Sequence, residues 1–209
     1  MSASVSRLRT VAAVAFLGLF LAACGYNAIP TYEEQAKAKW ADVQNNYQRR
    51  ADLIPNLVAT VQGYAKQEKD VLTAVIEARA KATQVRIDVS QLDDPAKLKQ
   101  FQDAQNQLSG ALGRLLAVSE NYPDLKSNQN FLALQSQLEG TENRISVERG
   151  RFNDAVQAYN TAQKSFPAVI FAGMFGHTPR PYFTATAGSD KPPAVNFDFS
   201  KKAEAPKSP

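Results

Sequence analysis

The chain has 209 residues, with 24 Lys and Arg against 20 Asp and Glu, and therefore a net charge of +4 at neutral pH. A balance this mild argues against nucleic-acid binding, because a phosphate-binding surface usually contains a concentrated basic stripe. The length suits one domain with one hydrophobic core. The single cysteine excludes an intrachain disulfide and a CxxC site.

The N-terminal segment has the pattern of a bacterial lipoprotein signal. Arg7 and Arg9 precede an apolar run at 11–21, and Leu-Ala-Ala-Cys-Gly follows at 21–25. This run is too short for a membrane-spanning helix, which needs ~20 residues. Signal peptidase requires small side chains before the cleavage site, and lipid transfer requires a thiol directly after it. We therefore expect a signal peptide at 1–23 and acylation of Cys24. The alternatives are an ordinary signal peptide with a chance cysteine, and an uncleaved anchor.

Acylation of Cys24 would determine where the mature chain is located. Its acyl chains would bind membrane lipid, and a multiply acylated cysteine is a stable anchor, followed here by a linker at 24–30. Arg7 and Arg9 are two of the 24 basic residues, so 22 basic residues remain against 20 acidic ones. Residue 25 is Gly rather than the Asp that commonly retains lipoproteins at the inner membrane. In a host with two membranes, we therefore expect the periplasmic face of the outer membrane.

The region between Thr31 and Phe166 is predicted to be helical. It contains few prolines and is rich in Ala, Gln, Leu, Lys and Glu, which favour helices. Its apolar residues recur at alternating spacings of three and four, which is typical of long helices packed at shallow angles. The sequence predicts an all-α fold with helices near 31–53, 56–87, 95–121 and 124–166.

Proline and capping residues define the predicted helix boundaries. Thr31 and Glu34 fit a capping box, and the Asp94-Pro95 pair fits an N-cap followed by proline at the first helical position. The stretch Tyr-Pro-Asp at 122–124 is predicted to end one helix and start the next.

Two interpretations of Pro55 remain open from the apolar pattern. The heptad phase continues across it, which favours one kinked helix from 31 to 87. Such a helix would be ~85 Å long, and the 95–121 helix could cover only half of it. Trp40, Val43 and Tyr47 would then be exposed unless another chain covered them. We favour a turn at 52–56, because proline already removes a helical hydrogen bond and thus lowers the free-energy cost of ending the helix there.

Several charged residues lie on or beside the apolar seams and form a predicted polar seam. Its members are Arg50, Glu68, Arg79, Glu142, Arg144, Glu148 and Arg149. Di-iron bundles use inward Glu residues with Glu-x-x-His pairs, but this chain has no such pair, and its one histidine, His177, lies beyond the helices. We therefore expect register-fixing ion pairs, with Glu68 and Glu148 bound to Arg50, Arg79, Arg144 or Arg149. No metal or other cofactor is expected.

The remaining segments carry no recognisable chemistry. The chain lacks a nucleophile elbow, a phosphate-binding loop, a dinucleotide glycine pattern and HExxH, so no enzymatic activity is expected. The apolar stretch 166–175 is predicted to pack onto the end of the helices, with a ligand loop as the alternative. The Pro- and Lys-rich tail at 188–209 cannot bury enough apolar surface to order itself. The aromatic islands at 181–183 and 194–199 are predicted to dock as extended segments, with exposed partner-binding peptides as the alternative.

Long ordered motifs give the chain a resemblance to a known family. They include Arg-Arg-Ala-Asp-Leu-Ile-Pro-Asn-Leu-Val at 49–58, Glu-Asn-Tyr-Pro-Asp-Leu at 120–125, Gly-Thr-Glu-Asn-Arg-Ile at 140–145, and the pairs Phe152-Asn153 and Tyr159-Asn160. Over about 26–185 the chain resembles the LemA family of bacterial envelope proteins. The resemblance implies an antiparallel up-and-down four-helix bundle at about 31–187, held at a membrane by its N-terminal segment.

The resemblance supplies no reaction, because the family has no established biochemical activity. Some members are implicated in membrane organisation and some are encoded near membrane metalloproteases. This chain departs from the family pattern at the lipobox, where most members have a spanning helix, and at Glu148, where many have a small residue. We expect a membrane-anchored structural or protein-interaction module with an envelope protein partner. The alternative is a metal-binding or enzymatic bundle that uses inward carboxylates.

Overall fold

A computed structural model describes Arg9, residues 11–16, 27–166 and 168–184, without the Phe171 side chain. Residues 11–16 are helical. Cys24, most of the predicted signal peptide and the tail at 188–209 lie outside the described residues, as does the aromatic island at 194–199. The predictions for these segments remain predictions.

Helices account for most of the described chain from residue 27 onward, and that part contains no strand. Four of them are long: α1 Ala28–Tyr64, α2 Lys69–Gln84, α3 Pro95–Ser119 and α5 Gln129–Lys164. Two are short: α4 Pro123–Lys126 and α6 Ala168–Met174, and a 3-10 turn occupies Val89–Gln91. The predicted all-α class is confirmed.

Helices α1 and α5 lie antiparallel along most of their length. The Trp40 ring contacts Phe152 near one end. Arg50 pairs with Glu142 in the middle. The Asn128 amide donates to the Tyr64 hydroxyl at the other end, at 2.8 Å. Helices α2 and α3 pack against each other, and α2 also contacts α1.

The core consists of three consecutive apolar clusters along this axis. The cluster farthest from residue 28 joins α1, α2, α3 and α5 through residues such as Leu57, Val61, Val75, Leu115 and Phe131. The middle cluster surrounds Trp40 with Phe101, Ile145, Phe152 and Phe183. The third cluster lies at the N-terminal end of α1 and combines Ile29, Tyr159, Ala162, Ala168 and Ala172.

The predicted break near Pro55 is wrong. Helix α1 continues through Pro55 to Tyr64, and the chain reverses over residues 65–68 instead. A proline inside a helix costs ~3 kcal/mol. Burial of the neighbouring Ile54 and Leu57, both fully covered, offsets that cost, because each buried apolar side chain contributes ~1.5–3 kcal/mol.

The expected burial of Trp40 is confirmed, because its side chain is 0% exposed. The alternative of one helix from 31 to 87 is wrong, because α1 ends at Tyr64. The expected cover was the 95–121 helix, but α5 supplies more of it. Helix α5 has 36 residues and runs beside nearly all of α1. Its Phe152, together with Ile87 and Phe183 from non-helical segments, covers the indole within the same chain.

The predicted helix starts are partly confirmed. Asp94 caps α3, since its carboxylate accepts hydrogen bonds from the backbone N–H groups of Ala96 at 2.9 Å and Lys97 at 3.3 Å. The capping box at Thr31 is wrong: α1 begins inside the predicted linker at Ala28, and the Thr31 hydroxyl donates to the Asn27 carbonyl within the helix. The predicted helix 124–166 is divided between α4 and α5 at 127–128.

Candidate functional site

The best-buried charge of the predicted polar seam is Arg50, which is 2% exposed. Its Nη1 donates to the Glu142 carboxylate at 2.7 Å and to the Ser109 hydroxyl at 2.9 Å. Its Nη2 donates to the Gln105 side-chain oxygen at 2.7 Å. The Gln105 amide in turn donates to the Ala82 carbonyl at 3.1 Å. One guanidinium therefore joins α1, α3 and α5, and Gln105 extends the network to α2.

The other seam residues do not join this network. Half-buried Glu68 accepts a hydrogen bond from the Tyr122 hydroxyl at 2.8 Å, not from an arginine. Glu148 pairs with Arg151 at 2.7 Å, a partner that the sequence analysis did not name. The expected pairings of both glutamates therefore differ from the structure. Heptad phase indicates which face a residue occupies, but it does not identify the nearest charge on that face.

The three remaining arginines of the seam have separate roles. Arg79 donates its Nε hydrogen to the Ala51 carbonyl at 2.7 Å, which links α2 to α1. Arg144 is exposed. Arg149 donates to the Thr184 carbonyl at 3.0 Å and lies 4.8 Å from the centre of the Phe183 ring.

The described residues do not assemble a candidate metal centre. Within 27–166 and 168–184, no three His, Cys, Asp or Glu side chains come together as potential metal ligands. Nor does any helix in the described part of the chain combine the length and apolarity needed to cross a bilayer.

A more specific arrangement involves residues 178–184, which we call the strap. Asn153 and Asn160 of α5 each bind one strap residue through both of its backbone groups. The Asn153 amide accepts from the Phe183 N–H at 2.8 Å and donates to the Phe183 carbonyl at 3.0 Å. The Asn160 amide contacts Arg180 in the same way, at 2.8 and 2.9 Å. The strap therefore docks as the sequence predicted for 181–183.

The spacing of the two asparagines matches the spacing of the residues that they bind. Asn153 and Asn160 are seven residues apart, or ~10.5 Å along a helix. Arg180 and Phe183 are three residues apart, or ~10 Å along an extended chain. The helix and the strap therefore stay in register over two helical turns, with opposite chain directions.

The strap also closes the middle core cluster. Phe183 is 5% exposed. Its ring lies 5.9 Å from the Trp40 ring and 5.5 Å from the Phe152 ring, measured between centroids.

Tyr47 belongs to the same cluster. Burial is the main reason why the pKa of its hydroxyl is raised above the usual value of 10.0, which favours the neutral form.

Arg180 connects the strap to the start of α1. Its Nη2 donates to the Glu33 carboxylate at 3.0 Å, and its guanidinium lies 5.0 Å from the centre of the Tyr159 ring. Glu33 also pairs with Lys37 at 3.1 Å. The first turns of α1, the last turns of α5 and the strap are thereby fixed to one another.

A cleft of about 520 Å³ opens beside this junction. Its lining includes Lys37, Asp93, Arg180 and His177, the predicted loop histidine. Since the lining contains both acidic and basic groups and Glu33 pairs with both Arg180 and Lys37, the charges do not select a ligand of either sign.

We expect Asn160→Ala to lower the free energy of unfolding by about 1–3 kcal/mol, because it leaves the buried backbone N–H and carbonyl of Arg180 without partners. Urea unfolding followed by circular dichroism measures this change, and hydrogen exchange should increase in residues 178–184. Asn143→Ala, at an exposed position of the same helix, is the control. Equal stability and equal exchange in both variants would contradict a structural role for the strap.

Most of the chain matches a known protein family. The family model described as the LemA family matches residues 39–197, which is most of the chain. The chain belongs to the LemA family. The resemblance identified from the sequence motifs is thus confirmed.

Individual relatives of this LemA-family chain include magnetosome proteins. It is 27% identical to the magnetosome protein MamQ of Magnetospirillum gryphiswaldense, over 80% of this chain and 67% of the relative. It is 26% identical to the magnetosome protein MamQ 2 of Paramagnetospirillum magneticum, over 88% of this chain and 73% of that relative. It is 23% identical to protein LemA of Metamycoplasma hominis, over 62% of this chain and 52% of that protein.

The family motifs contain two residues, Asn153 and Asn160, whose role in binding the strap does not follow from the polar seam. Asn153 and Asn160 each follow an aromatic seam residue, Phe152 and Tyr159, at heptad spacing. That repeated aromatic–asparagine pair was the available signal for a docked strap. Arg180 gave no comparable signal, because it lies among prolines outside any periodic segment.

Proposed function

We propose that this LemA-family chain is a membrane-anchored lipoprotein of the bacterial cell envelope that acts as a structural or protein-interaction module. The observation that supports this most is the lipobox Leu-Ala-Ala-Cys at 21–24, which ends four residues before α1 begins at Ala28. Acylated Cys24 would hold a long helix close to the lipid surface.

The arrangement of the helices favours a mechanical or binding role over catalysis. We interpret α1, α2, α3 and α5 as an up-and-down four-helix bundle. Helix α1, with 37 residues, would extend ~55 Å. The Arg50 network and the strap fix its register. A rod of this kind suits the display of a binding surface to another envelope protein.

The residue after the cysteine suggests a location in hosts with two membranes. Gly25 does not supply the aspartate that commonly retains lipoproteins at the inner membrane. We therefore propose the periplasmic face of the outer membrane. Fractionation of the two membranes tests this step separately from acylation itself.

The anchor is tested by Cys24→Ala in the full chain. We expect incorporation of an alkyne-labelled fatty acid to be lost and the unprocessed precursor to accumulate, because both lipid transfer and cleavage require the thiol. Asn27→Ala changes a neighbouring residue that is not part of the lipobox and should retain labelling and processing. Undiminished labelling of the Cys24→Ala chain would overturn the proposed anchor.

A further inference from the structure

An apolar face remains exposed at the end of the molecule where α1 begins. Five side chains that lie within ten residues of one another are largely open to solvent. They are Phe166 at 80%, Val169 at 45%, Ile170 at 55%, Met174 at 74% and Phe175 at 60%. We call them the end face. A group of large apolar side chains this exposed is unusual on a soluble surface and marks an interaction site.

Helix α6 is held firmly in this position by its opposite side. Ala168 and Ala172 are buried against Ile29 and Tyr159 in the third core cluster. The His177 N–H donates to the Ala172 carbonyl at 3.0 Å and closes the helix, with Gly176 at a φ of 71°. The sequence prediction that this stretch packs onto the end of the helices holds for Ala168 and Ala172, whereas Val169, Ile170 and Met174 are largely exposed.

Chain length limits how far this end can be from the lipid. Residues 24–27 connect the lipobox cysteine to the first residue of α1, and four extended residues span at most ~14 Å. Because α6 packs on Ile29, the second residue of α1, it lies at the same end. The remainder of α1 runs away from that end.

The charge pattern agrees with contact to a lipid surface. The sequence from Ser165 to Gly176 contains no Asp, Glu, Lys or Arg, and Lys164 precedes it. Interfacial helices bury their apolar face ~5–10 Å into the boundary between headgroups and acyl chains. A flanking lysine can remain at the level of the lipid phosphates.

We propose that the end face inserts into the surface of the bilayer that holds the acylated Cys24, and that it orients the helices relative to the membrane. This inference rests on the proposed lipid anchor. A flexible linker alone would leave the orientation of the rod free, whereas a second contact through α6 restricts it.

The test places a fluorescent probe on the full-length acylated chain in phospholipid vesicles. Cys24 is the only native cysteine, so Ile170→Cys supplies one free thiol for an environment-sensitive dye. Ile76→Cys is the matched control: Ile76 is 53% exposed and lies on α2 beside Val58 and Lys66, far along α1 from Ala28. Vesicles with lipids spin-labelled in the acyl chain quench only probes that enter the hydrocarbon boundary.

We expect the probe at 170 to shift to shorter wavelength and to be quenched by the spin-labelled lipid, while the probe at 76 remains unchanged. Chains that float with the vesicles but show no quenching at 170 would overturn the end-face inference and leave the anchor intact. A blue shift without lipid quenching that grows with protein density would assign the face to a second copy instead. A wild-type chain that does not float with the vesicles would overturn both proposals.

Discussion

Replacing Glu142 by Ala should lower the free energy of unfolding by about 3 kcal/mol, because it leaves Arg50 buried without its counter-charge. The side chain of Arg50 is 2% exposed and that of Glu142 is 56% exposed. Removing one partner of a fully buried pair costs ~3–5 kcal/mol. We expect the lower end of that range, since water reaches the carboxylate side of this pair. Urea unfolding followed by circular dichroism measures the change.

The control for this prediction lies three residues earlier on the same helix. Glu139 is exposed and accepts one hydrogen bond from Gln135. Glu139→Ala should change stability by at most ~0.5 kcal/mol, as is usual for surface substitutions. Arg50→Met combined with Glu142→Ala should cost less than the sum of the two single changes, because both remove the same interaction. Equal losses for the Glu139 and Glu142 variants would refute the importance of this network.

The second large effect is expected for Trp40→Ala, which should cost about 3–5 kcal/mol through the cavity that it leaves. Trp40 is 0% exposed. Its ring lies 5.3 Å from Phe101, 5.6 Å from Phe152 and 5.9 Å from Phe183. Its Nε1 donates to the Ile87 carbonyl at 3.3 Å. Val147→Ala, at a position 52% exposed on α5, is the control and should change stability by at most ~0.5 kcal/mol.

The fluorescence of Trp40 also tests whether residues of the same chain bury its indole ring. It is the only tryptophan, so its emission describes one site. Because all its neighbours belong to the same chain, the emission should be blue-shifted and independent of protein concentration. A red shift on dilution, or a stability loss no larger than that of Val147→Ala, would show that the indole is not enclosed as described.

Periodic patterns specify which face of a helix is buried, but they do not specify which charged groups pair across that face. The repeat of apolar residues at spacings of three and four determined that the chain is helical, since this period places most of them on one face of each helix. The Asp94-Pro95 pair determined the start of α3, because capping is a local interaction. The sequence did not determine which charged groups pair with each other. Glu68 was expected to pair with an arginine, but it contacts Tyr122.

The path of the chain at Pro55 and the partners of the strap were decided by tertiary structure. The helical path through Pro55 depends on burial of Ile54 and Leu57 against residues far away in sequence, which offsets the lost hydrogen bond. The strap has no internal periodicity, and its position depends on two asparagines 30 and 20 residues earlier. By itself, then, the sequence determined the helical class and the start of α3, because these follow from local pattern and composition. Only the folded chain defines the end of α1, the partners of the buried charges and the register of the strap, because these depend on the balance of burial between distant segments.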